Sequence, residues 1–234
     1  MLLSILNIET STTVCSVALS VGDTIVFEKI SFEGSSHAAL LGVFTEEAIT
    51  LTKKEKISLD AVAVSSGPGS YTGLRIGVSM AKGLCFGYGI PLIAVPTLDI
   101  MASKVIRDNR FPDNMLYCAM LDARRMEVYA AIYDSSLRAT RPVSADIVTA
   151  DTYASFLENN PVCFFGNGAD KCKEVITSPN AVFIDDIVPL AGDMRALAND
   201  RLKKKQPEDV AYFEPFYLKE FVATIAKNKV LGNT

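Results

Sequence analysis

The stretch AVAVSSGPGSYTGLRIGVSMAKGLCF, residues 61–86, carries a strand, a glycine-rich loop and a helix in direct succession. Residues 61–66 read as a strand. Gly67 and Gly69 permit backbone conformations closed to residues with a Cβ, and Pro68 stiffens the turn between them. From Thr72 the pattern is that of a helix reaching about Phe86. A loop of this kind delivers a helix N-terminus, which suits either an anion or close packing. It is not a Walker loop, because no Gly-Lys-Ser/Thr follows it.

The helix is apolar over more than half of its circumference, through Ile76, Gly77, Val78, Met80, Ala81, Gly83, Leu84 and Cys85. One stripe of about 100° is enough to pack on a sheet. On a helical wheel Leu74, Val78, Ala81 and Cys85 form one line, and Ile76, Met80, Gly83 and Leu84 a second, about 120° away. The second line needs a second neighbour, either a helix of the same lobe or another subunit. Gly73 and Gly77, one turn apart, allow that neighbour to come close.

Outward from this stretch, one order of elements occurs twice. Residues 3–8 form a short apolar strand, residues 14–21 and 24–32 a hairpin about Gly22-Asp23, and Ser35 or Ser36 can cap a helix over 37–51. After the stretch come a strand at 91–95 and a helix to about Arg107 that Thr97 can cap. The second half repeats this with unrelated residues. Strands are expected at 116–122, 126–133 and 137–143, then a helix capped by Asp151 and running through Leu157. A strand at 162–166, a short helix from Ala169, a strand at 181–184 and a helix at 190–204 complete it. A doubled βββαβαβα order predicts two similar lobes, each a mixed sheet flanked by helices. The polar, proline-ended stretch RDNRFP (107–112) marks the boundary, giving lobes at 1–108 and 109–212.

Composition removes several function classes. With 49% hydrophobic and 21% charged residues, the chain can build a sizeable core. A net charge of −4 lacks the basic excess of a protein that grips phosphate backbones alone, so any contact with RNA is expected through partners. The five cysteines form no CxxC pair and read as reduced, buried hydrophobes. No apolar run is long enough to span a membrane, and a cytoplasmic location is expected. His37 is the only histidine, which leaves no HExxH or HxxxH metal pair and no obvious base for a peptidase triad.

Three further loops could carry chemistry. Glu9, Thr10, Ser11 and Thr12 end the first strand with hydroxyls, amides and an acid, a set that can meet phosphate and Mg²⁺ or make a plain hairpin turn. Asp122 and Arg124 occupy the equivalent turn of the second half. Gly166 and Gly168 form a Gly-x-Gly turn open to a flat ring. With Gly67 and Gly69 these residues outline a nucleotide cleft, intact or vestigial.

At ILNIETST, SHAALL, SSGPGSYTGLRIGVSMAKGL, PLIAVPTLD, LDARRMEVYAA and FFGNGADK the chain resembles the TsaB (YeaZ) family, in matching order and spacing to about Lys205. The resemblance implies the actin-like ASKHA fold, of ribonuclease H-like type. It implies a non-catalytic scaffold that pairs with the catalytic paralogue TsaD and an ATPase, TsaE, in making N6-threonylcarbamoyladenosine at position 37 of tRNAs reading ANN codons. The paralogue's HxxxH metal pair corresponds here to residues 95–101, which contain no histidine. No metal or cofactor is thus expected in the chain alone, with ATP or ADP entering at the level of the complex. Family pairing through the first-lobe helices would place His37, Leu40, Leu41, Phe44, Arg75, Ile76, Val78 and Met80 at the partner, or at a second copy in an isolated homodimer. The family also returns its C-terminal segment, here about 213–234, to the first lobe, with Tyr217-Leu218-Lys219 resembling the retained part. The alternatives are an actin-like small-molecule kinase with Glu9 and Asp122 on Mg²⁺ and, with least chemical basis, a peptidase.

Overall fold

The computed structural model describes residues 2–34, 37–108 and 110–219. The expected Ser35 or Ser36 cap and the tail beyond residue 219 lie outside these. The first half runs β1 (Ser4–Glu9), β2 (Cys15–Val21), β3 (Thr24–Ser31), α1 (His37–Lys54), β4 (Ala61–Ser65), α2 (Tyr71–Tyr88), β5 (Leu92–Val95) and α3 (Thr97–Arg107). The second runs β6 (Leu116–Asp122), β7 (Glu127–Tyr133), β8 (Ala139–Ile147), α4 (Ala154–Leu157), β9 (Val162–Phe165), a 3₁₀ turn (Asp170–Cys172) and β10 (Ala181–Ile184). It ends in a second 3₁₀ turn (Ala191–Met194) leading into α5 (Arg195–Lys203).

Each half forms a five-stranded mixed sheet, ordered β3-β2-β1-β4-β5 and β10-β9-β6-β7-β8, so the doubled order becomes a doubled topology. Central strands β1 and β4 are wholly buried, while β3 at the edge is largely open to solvent. This follows from their sequences: apart from Asn7 and Glu9, β1 and β4 carry short or apolar side chains on both faces, as parallel neighbours covered by helices require. The architecture is the actin-like, duplicated α/β type.

The last helices do not stay with their own halves. Leu98, Met101, Ala102 and Val105 of α3 pack into the core of the second sheet with Tyr117, Ala119, Ala131 and Cys163. Met194 and Ala198 pack on the first sheet with Ile5, Ala61, Ile93 and Val95, joined by Ile100 from the other side of α3. A division at 108/109 therefore separates the halves of the chain but not the packed units, because α5 completes the first core. The junction is tied by Ala191 N–H donating to Ser16 Oγ (2.9 Å), Gly192 N–H to Glu28 Oε1 (3.1 Å) and an Arg107–Asp193 ion pair.

Local expectations shift where backbone geometry overrides side-chain preference. Thr97 does not cap α3. Pro96 holds that position, and the Thr97 N–H donates to the Gly67 carbonyl at 2.9 Å. Strand β8 starts at Ala139, since Leu137 sits in a turn with φ of 59°. Residues 149–153 form a tight turn, leaving α4 a single turn rather than a helix capped by Asp151. The final helix opens with 3₁₀ geometry.

Helix α2 is seated by backbone contact. A Cβ on Gly73 would run into the Thr10 carbonyl, whereas one on Gly83 meets nothing within 4 Å. Gly73→Ala is expected to cost about 2 kcal/mol, and Gly83→Ala to gain about 1 kcal/mol from helix propensity. Urea unfolding of both variants beside the parent checks this; equal effects would contradict the close seating.

Candidate functional site

Helix α2 begins with Ser70, whose Oγ accepts the Gly73 amide at 3.2 Å, and ends at Gly89 in the left-handed conformation with φ of 64°. Its two apolar lines separate as the wheel predicts. Leu74, Val78, Ala81 and Cys85 are buried against the first sheet. Ile76, Met80, Gly83 and Leu84 line an open groove of about 590 Å³ with Ala38 and Leu41 of α1, and Arg75 and Ser79 stand on its rim. The second neighbour within the lobe, α1, covers this line only in part.

Of the residues expected at a partner surface, the groove gathers Leu41, Arg75, Ile76 and Met80. Val78 is a core residue, 4% exposed, and leaves the list. His37 also turns inward, its Nε2 lying 2.9 Å from the Thr12 carbonyl, so it anchors α1 to the β1–β2 hairpin. Phe44 packs partly into the core, and Leu40 is half-buried outside the groove lining. Ala38 and Ser79 are small members of the groove that apolar patterning alone passes over, while Gly83 belongs to the second line already drawn.

A C-terminal strap runs beside this groove. Glu208 N–H donates to Leu92 O (2.8 Å), Lys82 Nζ reaches the carbonyls of Ala211 and Phe213 (3.1 Å each), and Phe213 enters the first core. Arg75 lies 4.2 Å over the Tyr71 ring and donates from Nε to Tyr217 Oη (3.2 Å). Lys219 then pairs with Glu127 of the second half. Sequence marks Tyr217-Leu218-Lys219 only through resemblance; Arg75 and Lys82, which receive the strap, lie within the quoted stretch 65–84, but nothing local points them at the tail.

The cleft residues engage one another. Ser70 N–H donates to Ser11 O (2.6 Å), and Thr10 Oγ1 to Gly73 O (2.8 Å). Gly67 and Gly69 have no room for a Cβ against the carbonyls of Phe216 and Ser11. Thr12 Oγ1 accepts the Val14 amide (3.2 Å), a plain turn contact. Asp122 pairs with Lys171, which also holds the Glu127 carbonyl at 2.6 Å. Arg124 is exposed in a left-handed turn with φ of 72°. Gly166 and Gly168 close onto the backbone of Met120 and Leu121 rather than facing an open slot. The Ser70 and Gly73 amides, the Thr10 hydroxyl and the Asp122 carboxylate are thus engaged within the chain. Among the described residues no three His, Cys, Asp or Glu side chains form a metal cluster. The buried thiols are pushed up by desolvation, Cys15 and Cys85 to about 11, and offer no thiolate nucleophile.

Glu9 is fully buried. Its Oε1 accepts the Ser11 amide at 2.5 Å, while Oε2 has no partner among the described residues. Burial pushes its carboxyl from about 4.5 up to about 7; the Ser11 and Ser65 hydroxyls and the Ser11 and Thr10 amides offset only part of that. Both hydroxyls are near enough to favour the anion, but neither is aligned for a hydrogen bond. Because the folded value is the higher one, the native state holds more protons between about pH 4.5 and 7, and stability falls as pH rises through that window. Glu9→Gln removes this penalty. Its stability relative to the parent is expected to rise by about 3 kcal/mol from about pH 5 to about pH 8. Thermal unfolding of both proteins across that range measures the difference, and parallel curves would place the Glu9 titration elsewhere.

The family model described as TsaD, tRNA N6-adenosine threonylcarbamoyltransferase, matches residues 32–227. The tRNA threonylcarbamoyladenosine biosynthesis protein TsaB of Bacillus subtilis is 29% identical over 229 residues, covering 93% of this chain and 94% of that protein. TsaB of Escherichia coli is 36% identical over 129 residues, 55% of this chain and 54% of that one. Among solved structures, YeaZ from Pseudomonas aeruginosa superposes with a TM-score of 0.74 at 25% identity, covering 92% of this chain and all of that one. A second Pseudomonas aeruginosa chain, described by its similarity to peptidase YeaZ, gives a TM-score of 0.79 at 24% identity. With the duplicated lobes and the glycine-loop helix in place, the chain belongs to this threonylcarbamoyltransferase family, within its TsaB (YeaZ) group.

Proposed function

We propose that this chain is the non-catalytic scaffold subunit of a cytoplasmic assembly that makes N6-threonylcarbamoyladenosine at position 37 of ANN-reading tRNAs. Its relatives named for threonylcarbamoyladenosine biosynthesis support the pathway. The single observation that carries the scaffold reading is the second apolar line of α2, half-covered by α1 and open as a groove. A TsaD-like catalytic paralogue is the partner for that groove, with a TsaE-like ATPase joining the pair and tRNA reached through them. In the isolated chain a second copy can take the same surface as a homodimer. Among the described residues no helix is long and apolar enough to cross a membrane.

The chemistry supports a partner more than an enzyme. Residues 95–101, where the catalytic relative's metal pair would fall, form the end of β5 and the start of α3. Thr97, Leu98, Ile100 and Met101 are buried there as packing groups. On this reading the chain alone takes no cofactor, and ATP or ADP belongs to the complex. The kinase alternative lacks an available phosphate cradle, since Ser70 N–H and the Thr10 hydroxyl are bonded within the loop. A peptidase would need His37, which is held at Thr12.

Two substitutions on α2 test the reading. Val78→Asp places an unpaired charge in the core and is expected to cost several kcal/mol, roughly half of a typical domain's stability. Met80→Asp places it in the groove, and should leave the melting temperature within about 3 °C while weakening association with a TsaD-like protein by at least about 10-fold. Thermal unfolding and size-exclusion chromatography with and without that protein measure both. A Met80→Asp variant that stays folded and binds as the parent does would sink the groove as the docking surface.

A further inference from the structure

A second, more enclosed pocket of about 290 Å³ lies where the two halves meet, bounded by the glycine loop, the first turn of α3, strands β7 and β8, and the strap. Its apolar walls are Pro68, Pro96, Leu98, Pro142, Val143 and Phe216. Three proline rings and one aromatic ring make a wall with little freedom to lose, so a flat apolar group meets a surface already in place. Phe216 is held there by its own backbone: its N–H donates to Ser66 O at 2.7 Å, and its carbonyl lies where a Cβ on Gly67 would fall.

The polar residues of the lining are Ser66, Asp99 and Tyr133. Tyr133 Oη donates to Asp99 Oδ1 at 2.8 Å. Arg201 stands 3.8 Å from Oδ2, beyond hydrogen-bond length and partly open to solvent. A carboxylate has about four acceptor positions, so Asp99 keeps capacity for a further donor. The volume sits at the small end of ligand pockets, enough for a single ring with a short arm. Burial raises both the Asp99 carboxyl and the Tyr133 phenol, which keeps Tyr133 a neutral donor to the acid.

We propose that this pocket binds a small organic ammonium, an apolar or aromatic ring on a short aminoalkyl arm, with the ammonium on Asp99 and the ring between the prolines and Phe216. The preference for a cation follows from Asp99 being the one carboxyl among the lining residues, with no lysine, arginine or histidine in that lining. The site shares no lining residue with the groove on α2, and meets the cleft residues only at Gly67.

The test uses an isosteric set, benzylamine, benzyl alcohol and benzoate, titrated onto the full chain while amide chemical shifts are followed by NMR. Benzylamine is expected to move the amides of Ser66, Gly67, Leu98, Asp99 and Val143 with Kd in the millimolar range. Benzyl alcohol should bind about 10-fold more weakly, and benzoate not at all up to about 10 mM. Asp99→Asn should level the amine and the alcohol, and Ala139→Phe, entering from an exposed rim position, should abolish both. Melting temperatures are recorded for each variant; should Asp99→Asn unfold, the probe set on the parent and on Ala139→Phe decides. Absence of shifts with benzylamine at about 10 mM, benzoate binding as tightly as benzylamine, or a preference that survives Asp99→Asn would each overturn the proposal.

Discussion

The close approach between the end of β1 and the start of α2 governs the remainder of the first lobe. Thr10 and Ser11 present a hydroxyl and a carbonyl to Gly73 and Ser70, at 2.8 and 2.6 Å, through backbone positions that a side chain would hold apart. Helix α2 is thereby set on the sheet in one rotation, with Leu74, Val78, Ala81 and Cys85 beneath it. With that face fixed, Ile76, Met80 and Leu84 point away from the sheet, and α1 is placed to form the other wall of the groove. The groove is a consequence of glycine packing a few residues away.

The same contact decides what the cleft can do. In a phosphate-binding loop the N-terminal amides of the helix must remain free to meet an anion. Here the Ser70 side chain, the Ser11 carbonyl and the Thr10 hydroxyl engage that turn from within the chain. Glu9 is sealed below it, and desolvation pushes its carboxyl up to about 7. On the other side of the cleft Lys171 neutralises Asp122. The loops on both sides of the cleft are thus bonded within the chain, and the open apolar groove lies on the helices α1 and α2.

The junction is also where the two halves depend on one another. Helix α3 covers the second sheet, α5 the first, and Ile100 reaches back across. The strap adds a further link, from the β5 edge along α2 to Glu127. Neither half has a complete core without a helix from the other, so the lobes are coupled through apolar burial, a term that scales with the area removed from water.

The sequence by itself determined the element order, the duplicated topology and the two-lined character of α2, because these rest on local periodicity and on glycine and proline chemistry. It also pointed to the polar cleft loops and to the absence of a histidine pair. The fate of those residues was decided by tertiary structure. Which line of α2 meets the sheet depends on Thr10, more than sixty residues earlier in the chain, and this alone moves Val78 into the core while leaving Met80 outside. His37 turned inward because a carbonyl of the β1–β2 hairpin awaited it. The exchange of α3 and α5, the Lys171–Asp122 pair and the Asp99–Tyr133 contact join residues far apart in the chain. No periodicity records such pairs: a helix's apolar stripe states that something must cover it, and only the packed chain determines what does.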